Sequence, residues 1–299
     1  MFTKIYRTFL LLLFLNINPV YSKIKNNNYF KTKNLSSYFS ALVSFENQQT
    51  QDSLEFFNSS RSLIHFHKPY LKNYINSLVQ EGKIKKAAYE LRVKSTENDI
   101  DFFEGYLILF LDTIKKGNNN KSEEYLKKLA SLKEKGPFEK VITQSLQDFF
   151  YVFKNKKKNS IKKDLSDLGF INLVFQSCYL EENKSEIYFQ NLLNKTQLDY
   201  SRYIFFYINY LISMGKYEEA KNITDKADVI NSNLLILQTK NWIETKEFRK
   251  ISSIFSCKNE TDILGEFFYL IASLYSSEED YKKSNFYLKI SNFLNPKFK

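Results

Sequence analysis

Gly215-Lys216-Tyr217-Glu218-Glu219-Ala220, continued by Ile223, Thr224 and Ala227, reads as the turn and second helix of a helical hairpin. Tyr217, Ala220, Thr224 and Ala227 recur at spacings of three and four, which puts them on one helical face. Alanine there lets the paired helix approach closely, and Tyr217 is placed to fill the gap at the turn.

Weaker copies flank this stretch. Glu279-Asp280-Tyr281-Lys282-Lys283-Ser284 repeats the turn and helix start, with Leu288, Ser291 and Pro296 following. Lys246-Glu247-Phe248-Arg249-Lys250-Ile251 is another, preceded by Trp242, and Glu81-Gly82-Lys83-Ile84-Lys85-Lys86-Ala87 with Leu91 is a third. Fainter ones run through Gly117 to Leu129, Asn183 to Leu193 and Gln48 to Ser60. Repeat starts near Asn34, Lys68, Phe103, Gly136, Gly169, Ser201, Ser232 and Gly265 are then 31–35 residues apart.

A step of about 34 residues is that of one tetratricopeptide hairpin. With the Gly-x-Tyr-x-x-Ala pattern in 201–231 and the terminal Pro296 in 265–298, the chain resembles a divergent tetratricopeptide repeat (TPR) protein over about 34–298. The resemblance implies an all-α fold: an α-solenoid of about eight stacked helix-turn-helix hairpins, forming a right-handed superhelix with first helices lining its concave face. The copy starting near Gly136 departs from the pattern, because no second helix aligns across Lys154–Lys158.

Composition agrees with helices. Only 7 Gly and 4 Pro among 299 residues leave too few turn formers for a strand-and-turn architecture. The apolar first helices (Phe102 to Leu111, Phe170 to Phe175, Tyr203 to Ile212, Phe267 to Tyr275) need stacked neighbours to be covered. Acidic residues gather where second helices begin, at Glu123-Glu124, Glu186, Glu218-Glu219 and Glu278-Glu279-Asp280. There they oppose the positive end of the helix dipole, so capping rather than catalysis explains them.

Residues 1–22 have the layout of a secretory leader: Lys4 and Arg7, the apolar run Phe9 to Leu15, and Val20-Tyr21-Ser22 as a cleavage site. Residues 23–33 read as a polar lead-in and 34–299 as the helical array. The expectation is an exported protein, periplasmic if cleaved after Ser22, with an uncleaved leader as the one route to a membrane anchor. Cys178 and Cys257 lie two repeats apart, too far for a bridge unless the chain doubles back, and are expected as buried free thiols.

The net charge of +11 rests on Lys abundance, which, like that of Asn, is of the kind AT-rich codon usage produces, and the Lys154–Lys158 cluster reads as a solvated loop. His65 and His67 are the only histidines and lack the further ligands a metal site needs. No nucleophile elbow, phosphate loop or paired catalytic carboxylate stands out. The expectation is therefore no catalytic residues, no cofactor and no metal.

Binding candidates are more specific. Lys72 and Asn76 have the four-residue spacing with which some TPR proteins hold a C-terminal carboxylate, although Ile108 stands where the next repeat would supply a second Asn. Arg202, Phe205 and Asn209 would line the groove in the best-kept repeat. Phe286, Ile290, Phe293 and Leu294 exceed what one partner helix covers, which suggests an open C-terminal docking face for self-association or a partner. The reading is an exported, non-catalytic scaffold that binds a peptide or protein on its concave face. An accessory subunit of a peptidoglycan enzyme is the alternative; an RNA-binding repeat is disfavoured by the leader and by the variation between repeats.

Overall fold

A computed structural model describes residues 31–95, 100–132, 136–158, 166–194, 201–226 and 234–297. The expected leader and nearly all of the lead-in lie outside the described residues. Those described form fifteen α-helices, a 3-10 turn at Arg61–His65 and no strand. In order the helices are α1 Thr32–Glu46, α2 Thr50–Ser59, α3 Lys68–Gln80, α4 Ile84–Ser95 and α5 Phe103–Lys115. Next come α6 Asn119–Ser131, α7 Pro137–Asn155, α8 Asp167–Tyr179, α9 Ser185–Leu193 and α10 Ser201–Ser213. The last are α11 Tyr217–Lys226, α12 Leu234–Glu244, α13 Phe248–Ile254, α14 Glu260–Ser277 and α15 Tyr281–Leu294. None of them is long and apolar enough to cross a membrane.

Most consecutive helices pack on one another along the chain, and seven pairs form tight hairpins: α1/α2, α3/α4, α5/α6, α8/α9, α10/α11, α12/α13 and α14/α15. The nineteen-residue α7 has no second helix after it among the described residues. One turn serves all seven pairs. A residue in the left-handed region closes each first helix: Gln48, Gly82, Gly117, Glu181, Gly215, Lys246 and Glu279, with φ between 54° and 75°. At Gly215 its N–H donates to Ile212 O, and the next N–H, from Lys216, donates to Leu211 O, at 3.0 and 2.9 Å. The same two bonds recur at the other six turns. This Schellman arrangement satisfies carbonyls that the helix end would leave orphaned. Entry to the second helix is capped by side chains at two turns, where Asn118 accepts from Lys121 N and Asp280 from Lys283 N.

Within the opening hairpin, Ala220 and Thr224 are buried against α10, as their shared face requires. Tyr217 is not a gap filler. It is 45% exposed and stacks on Phe248 of α13, with centroids 4.3 Å apart.

In an open solenoid each repeat touches only its neighbours. Here the last hairpin returns to the middle and start of the chain. Helix α15 packs on α3 and α14 on α5. Phe267 of α14 meets Phe149 of α7 at 5.8 Å, and Tyr275 meets Phe138 at 4.7 Å. Glu260 accepts from Tyr179 of α8 at 2.8 Å. Gln80 donates to Lys282 O at 2.9 Å, and Lys282 pairs with Glu46. Gly265 lets α15 come close, since a Cβ there would sit 3.2 Å from Asn295 Cβ.

The returning hairpin is core and not a detachable cover. Ile263, Leu264, Phe267, Phe268, Ile271, Tyr275, Tyr287, Ile290 and Leu294 are all no more than 3% exposed. At roughly 1.5–3 kcal/mol per buried large side chain, its removal would cost on the order of 10 kcal/mol or more.

Candidate functional site

The expected groove residues of α10 are occupied internally. Arg202 Nε donates to Oε1 and Oε2 of Glu266 at 2.9 Å each, and Nη2 donates to Oε2 at 2.7 Å. Its guanidinium also lies 3.9 Å from the Tyr269 ring centroid. Glu266 is 2% exposed; burial pushes its carboxyl pKa up, and Arg202 pulls it back. Phe205 is fully buried, and Asn209 donates to Ile251 O and Phe255 O at 3.2 and 2.8 Å. Arg202, Phe205 and Asn209 therefore fasten α10 to α13 and α14, and Asn209 also borders a cavity beside Cys178 and Cys257. The return of α14 is what occupies Arg202.

The expected open C-terminal face is likewise closed. Phe286, Ile290 and Leu294 are at most 5% exposed. Phe293 is half-buried under the Lys115 ammonium, 4.9 Å from its ring centroid, while Lys115 donates to Phe293 O and Leu294 O. Helices α14, α3 and α5 supply the cover that a terminal repeat lacks when it stands alone.

The two cysteines are bonded to each other, with Cα atoms 5.8 Å apart, which corrects the free-thiol expectation. Cys178 ends α8 and Cys257 lies between α13 and α14. Phe255 brings them together by packing on Phe206 at 4.4 Å and Phe175 at 5.7 Å. The chain does double back, and that meets the one condition under which a bridge could form.

Lys72 and Asn76 remain beside a cleft. It has a volume of about 160 Å³ and lies where the ends of α1 and α3 meet the first turns of α5, α7 and α15. Asn76, Gln80, Glu104, Glu139, Lys282 and Lys283 are its polar walls, with Phe45, Phe286 and Tyr287 as apolar ones. Asn76 Oδ1 and Glu104 Oε2 are buried and accept no hydrogen bond; Lys72 Nζ is an ion-pair neighbour of Glu104 at 3.6 Å. Glu139 faces Tyr275 OH at 3.5 Å and Lys283 Nζ at 3.4 Å. Burial first, then the Glu139 carboxylate, raises the Tyr275 phenol pKa; burial and the Tyr275 neighbour raise that of Tyr287. Both phenols are therefore neutral donors near pH 7. The cleft can hold a polar group that donates hydrogen bonds.

Sequence reading found Asn76 and Lys72 but missed Glu104 and Glu139. Each stands in the first turn of a first helix, so marking acidic residues at repeat starts would have paired them. His65 sits 3.1 Å from Lys94 Nζ and His67 packs edge-on against Tyr38. Among the described residues no group of three or more His, Cys, Asp or Glu side chains is placed to hold a metal ion. Compared with known proteins, the chain matches no family model and has no significant match among curated proteins.

Proposed function

We propose that this chain is an exported, non-catalytic interaction protein of tetratricopeptide-like repeats, which takes a polar group of a peptide or protein partner in the Asn76–Glu104 cleft. The observation that carries the reading is the buried Asn76 Oδ1, left without a hydrogen-bond donor in an open cleft beside the Glu104 carboxylate, whose Oε2 has the Lys72 ammonium at 3.6 Å. Leaving the Asn76 oxygen unpaired costs about 1–3 kcal/mol, which a donor from a partner would offset. Export rests on the leader layout and is consistent with a disulfide, which persists in oxidising compartments.

Affinity capture of residues 23–299 from the envelope fraction tests this, with Asn76→Leu and Glu104→Gln as paired variants. A partner retained by the wild-type chain and lost with both variants supports the proposal. An identical set retained by all three overturns it. Were that partner a peptidoglycan hydrolase, the accessory-subunit alternative would be the specific form of the same function.

A further inference from the structure

A second cavity, of about 220 Å³, lies between the ends of α8 and α10 and the α13–α14 connection, and both disulfide cysteines line it. Cys178, Cys257, Asn209 and Tyr210 are its buried residues, while Ser213, Met214 and Ser252 are exposed at its rim. Lys258 and Glu181, paired with each other, form the remaining edge. A bond at the bottom of a solvent-open cavity differs from one sealed in a core. A reagent small enough to enter need not wait for the chain to unfold.

We propose that this cavity admits a small-molecule thiol to the Cys178–Cys257 bond, making it a reducible site in the folded protein. The thiolate attacks one cysteine sulfur and forms a mixed disulfide; the bond between the two cysteines breaks, and its electron pair leaves on the other sulfur as thiolate. A second thiol molecule then attacks the mixed disulfide. It releases the oxidised reagent, and both cysteines end reduced. The inference stands apart from the partner reading, because it concerns a different cavity and needs no bound protein.

The consequence lies in the placement of Cys257. It sits in the connection that leads into the returning hairpin. Asn209 holds the backbone on one side of that connection through Phe255 O, and Asn295 holds Ile254 O at 2.9 Å. Reduction removes the covalent tie between α8 and this junction and leaves the hydrogen bonds to hold it. The stability of the whole closure would then follow the thiol content of the compartment.

The test is reduction of the oxidised protein by 2-mercaptoethanol and by glutathione under native conditions, with thiols trapped by alkylation and counted by mass. Attack through the cavity gives a rate first order in thiol and flat from zero to about 1 M urea, whereas reduction through unfolding accelerates with the full urea dependence of stability. Ser213→Trp, which fills the cavity from its rim, should slow native reduction about tenfold or more while leaving the rate in guanidinium unchanged. A wild-type rate that climbs with urea as unfolding does overturns the proposal, and so does an unchanged native rate in a folded Ser213→Trp. If that variant does not fold, the urea dependence of the wild-type chain decides.

Discussion

Replacing Arg202 of α10 by Met removes the guanidinium that pairs with Glu266 of the returning hairpin. The carboxylate is 1% exposed in its side chain and would keep its burial while losing three charge-assisted bonds. Breaking a buried pair from one side costs about 3–5 kcal/mol at neutral pH, much of it the penalty for the stranded charge. With a urea m-value of about 3 kcal/mol/M, that shifts the unfolding midpoint down by about 1–1.7 M. The pH dependence has a fixed sign. Burial already raises the Glu266 pKa above its ordinary 4.5, and loss of Arg202 raises it further. Between the unfolded and folded pKa values the folded variant binds more protons than the unfolded chain, so its stability rises as pH falls. The gap to wild type should therefore narrow toward pH 5, by at most about 1.4 kcal/mol per pH unit. Replacing both partners by Met should bring the midpoint back near the wild-type value, since an apolar pair leaves no stranded charge. Urea unfolding followed by far-UV circular dichroism at pH 7.5, 6 and 5, with the disulfide intact, reads all of this. A cost under about 1 kcal/mol that does not change with pH would refute the buried-clamp account. It would return Arg202 to the exposed groove surface its sequence position suggests.

Three further outcomes follow from other features. Cys178→Ser with Cys257→Ser opens a loop of 79 residues' separation, which the chain-entropy estimate puts at about 4–5 kcal/mol, so calorimetry should show a melting point lower by about 10 °C. Gly215→Ala meets no atom within 4 Å, so its cost is that of the left-handed backbone alone, about 1 kcal/mol; Glu279→Gly should gain about 0.5–1 kcal/mol at the equivalent turn. Equal midpoints for all three proteins would dismiss the turn argument. Asp262 has its pKa raised to about 6, chiefly by burial, while accepting from Ser256 N. Its folded pKa lies above the unfolded one, so ionisation weakens the fold as pH rises through 6 and acid restores it. Asp262→Asn should raise the melting point at pH 7.5 and lose that gain by pH 4.5; a loss of equal size at every pH contradicts the assignment.

The beat of the chain was legible because it is a local event. All seven turns use the same left-handed residue and the same two backbone bonds, and local chemistry leaves a trace in sequence. The trace is uneven for a physical reason. Glycine holds the left-handed position at Gly82, Gly117 and Gly215, but Gln48, Glu181, Lys246 and Glu279 hold it elsewhere. Tertiary packing overrides a backbone preference of about 1–2 kcal/mol at those four turns, and the copies at Gln48 and Glu181 are faint while those at Lys246 and Glu279 still show in the residues that follow. The candidate cleft was half legible: Lys72 and Asn76 lie on one helix and share a spacing, whereas Glu104, Glu139 and Tyr287 come from three others.

The return of the last hairpin left no such local trace, and the same residues support two opposite readings. An excess of apolar side chains on α15 fits an exposed docking face as well as a buried one, because periodicity reports how many faces are apolar and not what covers them. What separates the readings is Glu266. It interrupts the run Ile263-Leu264-Gly265-Glu266-Phe267-Phe268 on a helix that is otherwise apolar over most of its surface. A carboxylate buried there demands a cation from outside its own hairpin. Arginine is scarce in this chain, and Arg202 lies on a helix whose face is otherwise aromatic. An acid buried in the middle of α14 and the one base of α10 are each other's most economical solution. Their pairing ties α14 to α10, while α15 packs on α3.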